Sequence, residues 1–334
     1  MIQINGSEAG GQILRTALAL SVLTKKPFKI TNIRAKRQKP GVKVQHLECM
    51  KAIQEICNAE IKGAYLKSKN LTFIPKSIKK TKINIEIFTA GSINLVLQPL
   101  LVIGTNSDLD ITIKGGATYG KWAPPVHHLE NVLKFFLNEM NYNFKINIKK
   151  HGFFPKGGAL LEIFTEKTNL KSIELLEKGE IKEIKGISVA SSILKNKKVA
   201  ERQTKKANEL IQKHFSLKPK IETKYVNSIC AGSGLQIWIK TQNSIISGNS
   251  LGEIRKSSEQ VAEEACNNLI FEYENSVIDS RTADQLLPYL ALTSKGKIKT
   301  SKITNHIKTN CQVIEQFLPV KFEIKDNLIE CRKL

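Results

Sequence analysis

A pattern of mixed period recurs three times along the 334 residues. It restricts the chain to folds in which helices cover one face of small sheets. The first pass reads as a strand at Ile2-Gln3-Ile4, a turn Gly6-Ser7-Glu8-Ala9-Gly10-Gly11 and a helix over 12–23. A strand over 28–33, a basic loop over 34–41, a helix over 44–57 and strands over 60–66 and 71–74 follow. The order is β-α-β-α-β-β. It returns with a helix opening at 91–98, a strand over 109–113, a loop over 115–123 and a helix begun by Pro124-Pro125, as proline permits at a first turn. Strands over 144–148 and 159–164 close that pass. The third has helices over 282–292 and 306–317 and strands over 297–300, 320–324 and 328–331.

Laid over one another, the second helices read His46-Leu47-Glu48-Cys49, His128-Leu129-Glu130-Asn131 and His306-Ile307-Lys308-Thr309, with the histidines in one register. Those histidines are separated by 82 and then 178 residues, so the last interval carries about 96 extra. The excess predicts an insertion over 177–274, with helices over 200–214 and 258–271 and strands over 221–226 and 235–240. The expected architecture is α+β: a large domain of three repeated units, 1–176 and 275–334, interrupted by a small α/β domain. Each unit packs two helices on a four-stranded sheet, and three sets of helix starts can build one anion-binding centre.

The formal charge of +22 favours a polyanionic partner, nucleic acid first, although lysine is spread along the whole chain. With 6% aromatic residues and no aromatic cluster, a sheet that reads bases by stacking is disfavoured. Cys49, Cys57, Cys230, Cys266, Cys311 and Cys331 contain no Cys-x-x-Cys, which argues against a zinc cage or a disulfide framework. No apolar run has transmembrane length and no signal pattern opens the chain, so no membrane partner and a cytoplasmic location are expected.

Chemistry concentrates at three helix starts. A helix N-terminus offers unpaired N–H groups and partial positive charge, which suit phosphate and disfavour a protonated histidine. His306 at such a start is therefore either a solvated polar residue or a neutral imidazole able to attack. The glycines of 6–11 permit close approach of an anion, but the loop lacks the Lys-Ser/Thr of a P-loop. Glu8 there would repel phosphate unless a divalent cation lay between. Arg34, Arg37 and Lys39 share one loop and can clamp a polyphosphate or simply face solvent. Asp284, followed by Gln285, can cap its helix, orient the His306 ring or hold a metal. His151-Gly152-Phe153-Phe154-Pro155-Lys156-Gly157-Gly158 reads as a hairpin turn in which Lys156 can meet a phosphate.

Over nearly its whole length the chain resembles the RNA 3′-terminal phosphate cyclases. The resemblance is carried by Gly10-Gly11-Gln12-Ile13-Leu14-Arg15, by Ile33-Arg34-Ala35-Lys36-Arg37-Gln38-Lys39-Pro40-Gly41, by Ala90-Gly91-Ser92 and by Ala123-Pro124-Pro125. The hairpin motif at 151–158, Ala283-Asp284-Gln285-Leu286 and the segment from His306 to Val320 complete it. It implies an inserted domain that is thioredoxin-like, ATP with Mg²⁺ or Mn²⁺, and RNA 3′-phosphate ends as partner. It implies further that His306 is the nucleophile that becomes adenylylated and that Glu8 is a metal ligand. Arg15, Arg34, Arg37 and Gln45 would contact phosphates, Gln12 would line the nucleotide site, Asp284 and Gln285 would work beside His306, and Pro125 would border the adenine. Two positions depart from the family pattern: His128 stands where an aromatic would pack on adenine, and Arg281 where another aromatic occurs.

Two other readings exist. Non-catalytic relatives that act in ribosome assembly lack the nucleophilic histidine, which is present here. Enolpyruvyl transferases are built from similar repeated units but would show basic clamps around a small acidic substrate and no adenylylated histidine.

Overall fold

Alternation of buried and exposed residues builds four small sheets. The computed structural model describes residues 1–8 and 10–334; Ala9, in the glycine-containing turn, lies outside them. In the first sheet β1 (Ile2–Asn5) pairs in parallel with β2 (Phe28–Thr31) across helix α1 (Gln12–Thr24). Helix α2 (Val44–Cys57) then leads to the antiparallel strands β3 (Glu60–Lys62) and β4 (Leu71–Ile74), in the spatial order β1-β2-β4-β3. The next sheet has the same order, β5-β6-β8-β7. It comprises β5 (Lys82–Ser92), helix α3 (Ile93–Gly104), β6 (Leu109–Ala117), a helical stretch of α4 (Val126–His128), a π turn (Leu129–Leu133) and α5 (Lys134–Glu139), then β7 (Phe144–Lys150) and β8 (Leu160–Thr165).

A two-residue strand, β9 (Glu174–Leu175), precedes a sheet with the order β11-β10-β12-β13. That sheet contains β10 (Ile181–Ser191), helix α6 (Val199–Phe215), β11 (Lys220–Val226), β12 (Ser233–Thr241), β13 (Ile245–Leu251) and helix α7 (Ser258–Asn275). Helix α8 (Ser280–Leu292), β14 (Lys295–Lys299), helix α9 (Asn305–Phe317), β15 (Val320–Lys325) and β16 (Leu328–Lys333) finish the chain. The final sheet reads β9-β14-β16-β15, with β9 parallel to β14. Its first strand thus lies more than a hundred residues before the rest. The fold is mixed α and β throughout.

Helices α1 and α3 are buried almost all round, from Gln12 to Val22 and along nearly the whole of Ile93–Gly104, so they form the centre rather than a covering layer. Helix α1 packs on α9, α3 and α2, and α8 packs on α9. Helix α9 buries one stripe, Ile307, Asn310, Cys311, Ile314 and Phe317, and its other face is largely polar. A separate apolar cluster within 184–269, including Ile211, Leu235, Ile237 and Leu269, fills the sheet of β10 to β13. All six cysteines are free thiols, five of them buried. Among the described residues no helix is long and apolar enough to cross a membrane.

The caps revise the histidine register. Lys43, Pro125 and Thr304 are the N-caps of α2, α4 and α9, so His46 and His128 occupy the third helical position and His306 the second. Structurally His306 corresponds to Gln45 and His127. The slip matters because residues one position apart on a helix point about 100° apart.

Candidate active site

Four helix starts surround one cleft of about 460 Å³. Helix α1 supplies Gln12 and Arg15, α3 supplies Leu95 and Gln98, α8 supplies Ser280, Arg281, Asp284 and Gln285, and α9 supplies its cap Thr304 and His306. The opposite wall comes from the segment after β12, with Asn249, Ser250, Leu251, Glu253 and Lys256; the rim comes from Lys121, Trp122, Ala123 and Pro124.

His306 is fixed by the start of its helix. Thr304 accepts a hydrogen bond from the Ile307 amide at 3.2 Å, which places the imidazole in the first turn. Burial first, then the charges of Arg15 and Arg37, holds its pKa below the ordinary value. The ring is therefore neutral at physiological pH, with a lone pair available.

Arg15 is a buried cation with built-in partners. Its Nε donates to Gln98 Oε1 at 2.9 Å and its Nη2 to Gln12 Oε1 at 2.6 Å. Burial lowers its pKa to about 10, so it stays charged near neutrality, and Asp284 and Cys49 act in the opposite sense. Asp284 is bonded to Asn310. Its Oδ1 and its carbonyl each accept from Asn310 Nδ2 at 3.1 Å, and Asn310 in turn accepts from Thr16 Oγ1 at 2.7 Å. Desolvation raises the Asp284 pKa to about 6, against the pull of Asn310 and Arg15. Asp284 does not cap α8: Asp279 does, accepting from the Thr282 amide at 2.9 Å.

The glycine turn meets side chains rather than open space. Gly10 has φ +65°, a conformation that favours glycine, and a Cβ there would stand 3.3 Å from Arg37 Nη2. At Gly11 a Cβ would reach 2.1 Å from His46 Nε2 and 3.0 Å from Arg15 Nη1. His46 is thus a packing residue, with Nδ1 accepting from the Lys43 amide at 3.2 Å and its pKa pushed down to about 3 by burial and by Arg15, Arg34 and Lys43. The turn is a joint that brings Arg37, His46 and Arg15 together beside His306.

The remaining sequence candidates fall into different places. Arg34 braces its own loop, with Nη1 donating to the carbonyls of Lys39 and Gly41 at 2.8 and 3.0 Å. Gln45 lies beside Gly91, 3.6 Å from where a Cβ would be. Pro125 stands behind the wall, where its carbonyl and that of Pro124 each accept from buried Asn94 at 2.9 Å. His128 is also behind the wall: it is 1% exposed, bonds Thr282 Oγ1 at 2.9 Å through Nε2, and is driven to a pKa of about 3 by burial. A ring so enclosed cannot pack on a base in the cleft. Arg281 does line the cleft and donates to Asn249 Oδ1 at 3.0 Å, while Gln285 donates to the Arg281 carbonyl at 3.3 Å. Lys156 is exposed on its hairpin, away from the cleft-lining set. Sequence reasoning missed Gln98, Asn310 and the wall after β12. Side-chain amides that hold other side chains carry no local motif.

Glu8 is exposed and paired with Lys36. Among the described residues no three His, Cys, Asp or Glu side chains gather as a metal cluster. Glu8 is not among the residues lining the cleft, and a single exposed carboxylate suits only a divalent ion held mainly by a substrate's phosphates, since Mg²⁺ commonly takes one or two carboxylates and keeps the rest for phosphate and water.

A family model described as RNA 3′-terminal phosphate cyclase matches residues 6–324. The chain belongs to the RNA 3′-terminal phosphate cyclase family. Proteins named RNA 3′-terminal phosphate cyclase include relatives from Pyrococcus abyssi, 39% identical over 97% of this chain and 95% of theirs, and from Thermococcus gammatolerans, 40% identical over 98% and 96%. Another, from Saccharolobus solfataricus, is 40% identical over 97% of this chain and 96% of its own. The cyclase family match therefore spans all four helix starts of the cleft and the wall that faces them.

Proposed function

We propose that the chain is an RNA 3′-terminal phosphate cyclase that uses ATP to convert an RNA 3′-phosphate to a 2′,3′-cyclic phosphate. The observation that carries this reading is His306: a neutral imidazole in the first turn of α9, in a cleft it shares with Arg15, under the charges of Arg15 and Arg37. An imidazole nitrogen of His306 attacks the α-phosphorus of ATP, the bond to the bridging oxygen breaks, and pyrophosphate leaves. Arg15 and Arg37 stabilise the charge that develops on the phosphates; their fields are fixed before reaction, so little reorganisation is needed. Arg34 shapes the loop that carries Arg37, and Gln12 and Gln98 hold the Arg15 guanidinium in place. Gln285 and Arg281 border the nucleoside, and Asp284 balances the charge of Arg15.

An oxygen of the RNA 3′-phosphate then attacks the AMP phosphorus and releases His306, leaving RNA(3′)pp(5′)A. The neighbouring 2′-hydroxyl attacks the activated 3′-phosphorus, loses its proton and expels AMP. That closure is intramolecular, so holding the ribose supplies much of its rate. Glu8, with the nucleotide's own phosphates, would hold Mg²⁺ or Mn²⁺, which supplies charge neutralisation for the leaving pyrophosphate. The same reading takes 1–176 and 275–334 as one body of three units and 177–274 as an inserted thioredoxin-like domain. It is supported by the strand order common to three sheets and by the separate apolar cluster of the fourth. Six free thiols suit a reducing cytoplasm.

The test is turnover of an oligoribonucleotide 3′-phosphate with ATP and Mg²⁺ to a phosphatase-resistant end. His306→Ala is expected to lose about 10³-fold or more in rate, as removal of a covalent nucleophile does. Undiminished turnover by that variant would reject the assignment.

A further inference from the structure

The two most exposed large apolar side chains of the described residues are Ile254, 95% exposed, and Trp122, 91% exposed. They lie far apart in sequence, yet each adjoins one end of the same ion pair, Lys121 to Glu253 at 3.0 Å, whose two members line the cleft. Trp122 itself lines the cleft that holds His306.

The loop that carries Trp122 is held from both sides. The Val126 amide donates to the Thr118 carbonyl at 2.8 Å, buried Asn94 pins Pro124 and Pro125, and a Cβ on Gly120 would stand 2.8 Å from Ser92 Cα. Within it Trp122 has φ +72°, a costly conformation for a bulky side chain. A tight loop thus holds a strained backbone conformation to present an indole to solvent. Ile254 sits beside Arg255, which also has positive φ, at +67°. The rim carries paired charges of both signs: Lys121 meets Glu253, Lys256 meets Glu264, and Lys121 Nζ lies 5.7 Å from the centre of the exposed Phe154 ring.

We propose that Trp122, assisted by Ile254, grips the nucleobase of the RNA's 3′-terminal nucleoside at the cleft mouth. The inference rests on the cyclase reading and assigns the part of the RNA that this rim touches. An aromatic with a basic neighbour is the usual means of holding single-stranded nucleic acid, and stacking tolerates any base. The rim position selects RNA over ATP. A nucleotide that reacts with His306 sits among Gln12, Arg15, Gln98 and Gln285, whereas a polymer whose end reaches His306 must pass outward over the mouth. The charge of +22 favours such a chain. The low aromatic content does not oppose it, because one strained indole suffices for one terminal base.

The test preloads the protein with AMP from ATP and Mg²⁺, removes free nucleotide, and follows release of AMP against the concentration of a short oligoadenylate 3′-phosphate. For Trp122→Ala the half-saturating RNA concentration should rise about tenfold with little change in maximal rate. Trp122→Phe should recover most of the loss, and Ile254→Ala should show a smaller rise. An oligoribonucleotide whose terminal nucleoside lacks its base should bind wild type and Trp122→Ala alike. Superimposable curves with the intact RNA overturn the proposal. So does a defect confined to AMP loading, which would assign the indole to ATP. If wild type forms no AMP adduct, the cyclase reading fails, and the rim is tested by fluorescence instead. In Trp238→Phe protein, quenching of Trp122 by the oligoadenylate but not by its abasic counterpart supports the grip, and base-independent quenching refutes it.

Discussion

At the scale of the residue, the cleft is organised by how charge is held rather than by how many charges there are. His306 is kept neutral by burial, Arg15 and Arg37, so its reactive form persists below the ordinary histidine range. The rate of AMP adduct formation, followed by rapid quench with labelled ATP, should stay flat from pH 8 through neutrality and fall only below the ordinary histidine range. In Arg37→Met protein one depressing charge is gone, so the falling limb should move toward neutral pH, whatever the height of the plateau. An unmoved limb would show that Arg37 does not act on the imidazole. The placement of His306 was legible: a histidine just after a threonine cap is a plain signal for a ring at a helix start. The Asp284 role was not. Its partner Asn310 lies 26 residues on, and nothing in the sequence says that its amide bonds the carboxylate.

Elements set those residues in place through contacts that motifs describe only partly. The glycines before α1 suggested an anion cradle, but they allow α1 and α2 to approach until His46 touches Gly11. Gly11→Ala would force His46 and Arg15 apart and should cost about 1–3 kcal/mol in urea unfolding, the usual penalty of overpacking. The same change made in a His46→Ala background should cost clearly less, and equal costs would disprove the contact. Most helices lie within two residues of the bounds their periodicity predicts, since a buried stripe repeats every turn. Strand β5 was missed, although Ile83, Ile85 and Ile87 alternate with Asn84 and Glu86. Strand β9 could not be read: two residues carry no period, and their partners in β14 lie 123 positions on. The one-residue slip of His306 against His46 and His128 had the same cause, since identity of side chain suggested a register that the caps decide.

Across the whole molecule, charge and burial set opposing demands. His46, His127, His128 and His151 are buried with pKa values of about 3, 3, 3 and 4, each through desolvation first. Their folded values lie below the unfolded one, so between pH 4 and 6.5 the unfolded chain binds more protons and stability falls as pH falls. Asp284, raised to about 6, and Asp279, Glu272 and Glu130, raised likewise by burial, act with the opposite sign at lower pH. The decline should therefore begin near neutrality, at about 2–3 kcal/mol between pH 7 and pH 6 in urea titrations. Constant stability over that interval would contradict the burial of these rings. The central claim concerns one atom group in this large basic frame. Peptide mass spectrometry after incubation with ATP and Mn²⁺ tests it most directly. The account predicts one added AMP, on the peptide that contains His306 and on its imidazole; an adduct on any other side chain, or none at all, would contradict it.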